Sequence, residues 1–378
     1  MQTRLKLFVP LALLVLVFVV DKIALFPELR DAGRREATPM ENIAINLKAR
    51  LEQESLTAAG AAQSAKTYQA PVVFLGSSRS EIFQTLHPTS IAAAPGLSAS
   101  DRAAVTGMRY ETRGIVRAAD LWLQYVMADT VLETEFKPAT LLIEISPEMF
   151  NHNNPHGVQN RMGVNVFNAR LLSDLFYCGT RDVKFATGLR LAFLSYNYNL
   201  RPERALINLN KGKDYLEQGA MSRLLLWQQP SVKALPADYV DFFIDRIPPA
   251  EYEKRFIDYT NHLVENDILR EYEFSETQLR VLELFLKRLS ASGINAVFWS
   301  PPVHPELESA RSALLDAERQ SQAIEMIRAA GFDYVPVNQA ELNCRYWTDA
   351  SHLSDRCAPA VIRMIQERSP AFKTAAGG

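Results

Sequence analysis

The sequence predicts a doubly wound α/β domain on a parallel sheet. Three observations carry this. Short, nearly all-apolar runs recur along the chain, amphipathic helical stretches separate them, and glycines stop two of those helices just before the next run. Helices cover both faces of a parallel sheet, so its strands read as continuous apolar runs rather than alternating ones. The chain has 378 residues, 48% hydrophobic and 22% charged, enough for one large domain or a core domain with an insertion.

The N-terminal segment, residues 1–27, is expected to be a signal anchor and transmembrane helix. After Arg4 and Lys6 comes the uncharged run Leu7–Val20; Asp21 and Lys22 interrupt it, and Ile23–Pro27 resume it. The first run alone falls short of the ~20 apolar residues a bilayer needs. With the second run, and the two charges snorkelling at the interface, it reaches a marginal span. A cleaved signal peptide is the rival reading, and a buried helix a further one. Against cleavage, VVDKIALFP offers bulky residues where a peptidase needs small ones. A Lys/Arg count (Lys22, Arg30, Arg34 and Arg35 against Arg4 and Lys6) would keep the body in the cytoplasm. Long domains translocate largely regardless of charge, and the reading adopted is an extracytoplasmic body.

Residues 28–70 read as a helical stalk and linker. A helix is expected over Thr38–Ser55, with Thr38 as N-cap and Pro39 at the first helical position. The Ala/Gly/Ser/Gln-rich stretch up to Ala70 reads as a joint. The α/β domain follows in two pieces, residues 71–150 and 275–370. Its strands are expected at VVFLG after Pro71, at Thr140–Ile145, at Ala296–Trp299 and at Tyr334–Val337. Helices precede the last three, and CAPAVIRMIQE closes the domain as an amphipathic helix. Between them, residues 151–274 are aromatic-rich and helical in tendency. They read as an insertion over the ligand edge of the sheet, a candidate lid.

Composition excludes several classes. A formal net charge of -2 makes no electrostatic case for nucleic acid. No Gly-rich phosphate loop is present, and no cofactor is implied. His152 and His156 in a Pro/Asn-rich loop lack a third ligand and helical geometry, so no metal site is expected.

The chemistry lies elsewhere. Ser77 and Ser78 follow the first strand and precede a helical start, at the sheet edge where ligands gather. A helix N-terminus there points N–H groups at an oxyanion formed during acyl transfer. Alone, a strand followed by Gly-Ser-Ser is most often a turn with an N-cap. Near the other end stands YWTDASHLS, with Asp349 and His352 three residues apart after the last strand. A serine needs an imidazole to accept its proton, and the imidazole needs a carboxylate to fix its tautomer. One Asp-x-x-His turn can supply both.

These residues resemble the SGNH/GDSL hydrolase superfamily. Within it the chain is most similar to the membrane-anchored envelope branch: the DltD-like and AlgJ/AlgX-like proteins and the DUF1574 group. The resemblance covers roughly residues 71–150 and 275–367, and implies a flavodoxin-like sheet (the SGNH hydrolase fold). Gly-x-Ser maps onto Gly76–Ser78, making Ser78 the nucleophile, and Asp-x-x-His maps onto Asp349 and His352. The resemblance implies an oxyanion hole from the N–H groups of Ser78 and of Gly114 in YETRGI. The third block departs: the usual Gly-x-Asn-Asp is replaced by LLIEISPEMFNHNN. Ser146 or Asn151 could donate there, though neither matches by position. Arg79 reads as a binder of carboxylate or phosphate, or as a solvent-facing side chain. His304 reads as lining the active edge or as a surface turn.

The resemblance implies a serine esterase or O-acyltransferase acting on envelope or exported glycans, with acetyl the expected acyl group. It also implies a membrane-bound O-acyltransferase partner and a catalytic domain in the periplasm of a bacterial inner-membrane protein. The rivals are a stand-alone carbohydrate or lipid esterase and a catalytically silent scaffold of a polysaccharide complex. Cys344 and Cys357 bracket the Asp-x-x-His segment, either as a disulfide requiring an oxidising compartment or as two buried thiols. Cys178 is expected in a core.

Overall fold

The computed structural model describes residues 2–22, 39–64, 70–85, 98–105, 110–115, 120–155, 168–179, 181–193, 249–342, 344, 347–354 and 357–377. One parallel sheet holds β1 (Val72–Gly76), β2 (Tyr110–Ile115), β3 (Thr140–Glu144), β4 (Ala296–Ser300) and β5 (Asp333–Pro336). Its order is β2-β1-β3-β4-β5. The chain steps outward from β1 to β2, then returns to the other side of β1 for β3. This reversal makes the carboxyl ends of β1 and β3 the topological switch point, where a doubly wound sheet opens a crevice.

β1 and β3 are buried at every position, which is why their sequences carry no polar alternation. Successive side chains point to opposite faces. Val72, Phe74, Leu142, Val297, Trp299 and Val335 join one core with Val361, Ile362 and Ile365 of the C-terminal helix. Phe298, on the opposite face, meets Phe285, which in turn packs against Tyr125.

The helices in chain order are α1 (Gln2–Asp21), α2 (Pro39–Gln63), α3 (Ala99–Val105), α4 (Leu121–Leu132), α5 (Ala169–Cys178), α6 (Arg181–Ala192) and α7 (Pro249–Asn266). After them come α8 (Glu276–Ser292), α9 (Pro305–Leu314), α10 (Ala317–Ala329), α11 (Ala358–Arg368) and α12 (Pro370–Gly377). Asp120 caps α4 by accepting from Leu123 N, and Gly293 ends α8 with φ 65°.

Several expectations are corrected. α2 runs past the expected joint to Gln63, because TAAGAAQ is alanine-rich and alanine is the strongest helix former. The strand β2 was not anticipated; YETRGI is polar because it lies at the sheet edge, with β1 on one side. Among the described residues no helix is long and apolar enough to cross a membrane. The apolar run Leu7–Val20 amounts to about 21 Å at the helical rise of ~1.5 Å per residue, against a hydrocarbon core of ~30 Å. Residues 23–27, which were expected to complete the span, lie outside the described residues, as does Thr38.

The chain divides into two compact units, Met1–Asn42 with Arg161–Gln229, and Ile43–Asn160 with Pro230–Gly378. The second holds the sheet. It also holds α7, which the expected insertion 151–274 included, because α7 packs on α9. In the first unit, Phe18 meets Phe193 edge-on at 6.1 Å and Lys22 donates to the Ala192 carbonyl at 2.6 Å. Leu13 to Val20 of α1 are each between 43% and 63% exposed.

Candidate active site

β1 delivers Gly76 to the switch point, and the chain turns at once into a 3-10 helix, Ser78–Thr85. Ser78 Oγ lies 2.7 Å from His352 Nε2. His352 Nδ1 lies 2.8 and 2.9 Å from the two carboxylate oxygens of Asp349. With Nδ1 donating to the carboxylate, Nε2 is left to accept the serine proton. The three side chains thus form a continuous Ser–His–Asp relay across 274 residues of sequence.

The Asp349–His352 loop is built locally. Asp349 Oδ1 accepts from the backbone N–H groups of Ser351 (2.8 Å) and His352 (3.0 Å). Trp347 and Leu353 pair across it in an antiparallel bridge. Burial works against charge on Asp349. The hydrogen bond and charge of His352, with the two N–H donors, outweigh it and hold the carboxyl below the usual range. The Cys344–Cys357 disulfide closes the segment, with Cα atoms 5.5 Å apart.

The nucleophile turn is held from beneath by Glu144, the fully buried last residue of β3. Its carboxylate accepts from Ser77 N at 2.7 Å, Ser77 Oγ at 2.5 Å and Ser80 Oγ at 2.6 Å. A glycine is required at 76 by close approach. A Cβ there would collide with Ser80 Oγ and stand 2.6 Å from Glu144 Oε2.

Arg79 does not face solvent, which corrects one of the two expectations for it, and the carboxylate it meets is within the chain. It is buried and donates to both oxygens of Glu148, at 3.0 and 3.1 Å. Arg311 also faces Glu148, at 3.5 Å. Arg79 Nε donates to Ser351 Oγ at 3.3 Å, so the residue after the nucleophile is tied to the residue before the base. Burial would push the Glu148 carboxyl up, but the charges of Arg79 and Arg311 outweigh it and hold it at about 2. Burial likewise opposes the Arg79 charge, and Glu148 outweighs it, raising the pKa.

A cavity of about 80 Å³ opens beside the relay, with Ser78, Ser146, Asn154, Tyr259, Ser351 and His352 in its wall. Ser146 therefore lies in the cavity wall. Asn151 does not line it. Its side chain donates to the carbonyls of Ile268 and Arg270 and accepts from the N–H groups of Asn153 and Glu273. It is consumed in holding the loop after α7. His304 does not line it either: it stacks on Phe256 at 4.1 Å, and its Nδ1 caps α9 by accepting from Glu306 N. Gly114 lies near the carboxyl end of β2 in register with Leu75, one residue before the partner of Gly76.

Among the described residues no His, Cys, Asp and Glu cluster could hold a metal ion. His152 is exposed, His156 lies outside the described residues, and Cys178 is buried on α5. Sequence reasoning missed Glu144, Glu148, Arg311, Asn154 and Tyr259. A signal for the first existed: an acid inside the apolar strand TLLIEI must find buried partners.

A family model described as "Protein of unknown function (DUF1574)" matches residues 1–368. The chain belongs to the DUF1574 family. No curated protein matches it.

Proposed function

We propose that this DUF1574 member is an SGNH-type serine esterase or O-acyltransferase. The observation that carries the reading is the Ser78–His352–Asp349 relay, at 2.7 and 2.8 Å, set at the switch point of a parallel sheet. Ser78 Oγ attacks the carbonyl of an ester or thioester while His352 Nε2 takes its proton. His352 then returns that proton to the leaving group, and an acyl-Ser78 ester remains. In the second half an acceptor hydroxyl, or water, gives its proton to His352 and attacks the acyl carbon, and Ser78 leaves as the hydroxyl. Asp349 stays ionised throughout and stabilises the imidazolium. The Ser78 N–H, at the start of its helical turn, is one oxyanion donor, and Gly114 N–H and the Asn154 amide are the further donors assigned.

The cavity supports a short acyl group. Its 80 Å³ is on the scale of a small acyl group such as acetyl. A glycan hydroxyl is the proposed acceptor and a membrane-bound O-acyltransferase the proposed donor partner. The disulfide supports an oxidising, extracytoplasmic compartment. The exposed apolar side chains Leu13–Val20 support a membrane tether through α1 at a bacterial inner membrane, with the catalytic unit in the periplasm.

The test is turnover of acetyl esters by the full-length protein beside its Ser78→Ala variant, with intact mass read for an acyl adduct. Turnover and adduct are expected in the first and absent in the second. A folded protein that takes no acyl group from any activated ester would sink the reading and favour the scaffold.

A further inference from the structure

The catalytic cavity has room for a short acyl group and little else, so an acceptor must reach the acyl carbon from outside it. An open groove of about 470 Å³ adjoins it along α7. Glu251, Lys254, Arg255, Asp258, Tyr259 and His262 line this groove, and Asp349 of the relay borders it. Tyr259 belongs to the walls of both spaces. His262 Nε2 stands 3.8 Å from the carboxylate of Asp267, which lines the catalytic cavity.

We propose that this groove is the acceptor subsite and that it binds the flanking sugar units of a neutral glycan whose hydroxyl receives the acyl group. The inference rests on the acyl-transfer reading above and deepens it. Three features select the ligand class. Positions 251, 254, 255, 258 and 262 recur at helical spacing, so they present one face to the groove. Carboxylates and cations intermingle on that face, supplying both acceptors and donors for sugar hydroxyls. Tyr259 adds an aromatic surface against which the C–H face of a pyranose can lie.

The same lining argues against other acceptors. Lys254 and Arg255 are offset by Glu251, Asp258 and Asp349, so a polyanionic glycan meets no positive field. A lipid hydroxyl finds one aromatic ring among charged groups instead of an apolar bed. Burial, and then the charge of Asp349, push the Tyr259 phenol up to about 12, so it remains a neutral donor.

The test uses the full-length protein loaded with acetyl from 4-nitrophenyl acetate. Decay of the acyl-enzyme is followed by intact mass in buffer, with neutral tetrasaccharides (cellotetraose, xylotetraose, chitotetraose), with tetragalacturonate and with octanol. Each variant's decay is normalised to its own decay in buffer. A neutral tetrasaccharide is expected to speed decay and emerge acetylated. The Lys254→Ala/Asp258→Ala double variant should need at least tenfold more of it. Equal acceleration in wild type and variant, or fastest decay with tetragalacturonate or octanol, would overturn the assignment. If wild type forms no acyl-enzyme, the acyl-transfer reading falls separately. Calorimetry with the same tetrasaccharides then decides: binding lost in the double variant keeps the groove as a glycan site, and no binding removes it.

Discussion

Replacing Glu148 by glutamine removes the charge that Arg79 and Arg311 both face while keeping the side chain's size. Glu148 is 3% exposed and Arg79 5%, so water cannot substitute for the missing carboxylate. The carboxyl titrates at about 2 against an ordinary 4.5. At ~1.4 kcal/mol per pKa unit, the folded state gains on the order of 3 kcal/mol from its ionisation. Breaking a buried pair from one side costs a similar amount, about 3–5 kcal/mol, because a charged partner is left behind. The sign follows from the lowered folded-state value. The contribution is fully present above the unfolded pKa, near 4.5, and is lost as pH falls through that window toward 2. Urea unfolding followed by tryptophan fluorescence measures this, since Trp122, Trp299 and Trp347 are all buried in the unit that holds the pair. At pH 7, Glu148→Gln should be less stable by about 3–5 kcal/mol. The gap should close as the pH is lowered, because wild type loses the same charge. A gap below about 1 kcal/mol at pH 7, the scale of a surface pair, would refute the reasoning. So would a gap that stays constant down to pH 3.

Three further outcomes are expected. Gly76→Ala forces a methyl group against Ser80 and Glu144, so it should destabilise by about 1–3 kcal/mol and reduce ester turnover. Unchanged turnover would mean that the nucleophile turn shifts freely. Replacing Cys344 and Cys357 by serine opens the loop that carries Asp349 and His352, and should cost about 3 kcal/mol; thermal melting of the oxidised and double-variant proteins reads it, and equal melting points would contradict it. Asn154→Ala should lower kcat by about 10²–10³ if its amide meets the oxyanion. A variant that changes KM alone would remove Asn154 from that role.

Much of the site was legible because it is local. Ser78 follows an apolar run that could only be a buried strand, and Asp349 and His352 share one turn whose own N–H groups hold the carboxylate. The strands β1, β3 and β4 were visible because burial leaves an unbroken apolar signature, and β5, a partly buried edge strand, through the helix and glycine before it. β2 carried no such signature, since an edge strand needs less apolar sequence.

What the tertiary structure decided were the long-range pairings. Glu144 and Gly76 lie far apart in sequence, and only the adjacency of β1 and β3 makes one the support of the other. Arg79, ambiguous as a residue beside a serine, becomes a buried strut once β3 brings Glu148 and α9 brings Arg311. Tyr259, in a stretch that reads as an insertion, becomes a wall of the active cavity because α7 folds with the sheet. Sequence spacing encodes partners within a turn or along one strand. Charge pairing across the sheet depends on strand order, and strand order is a property of the whole fold.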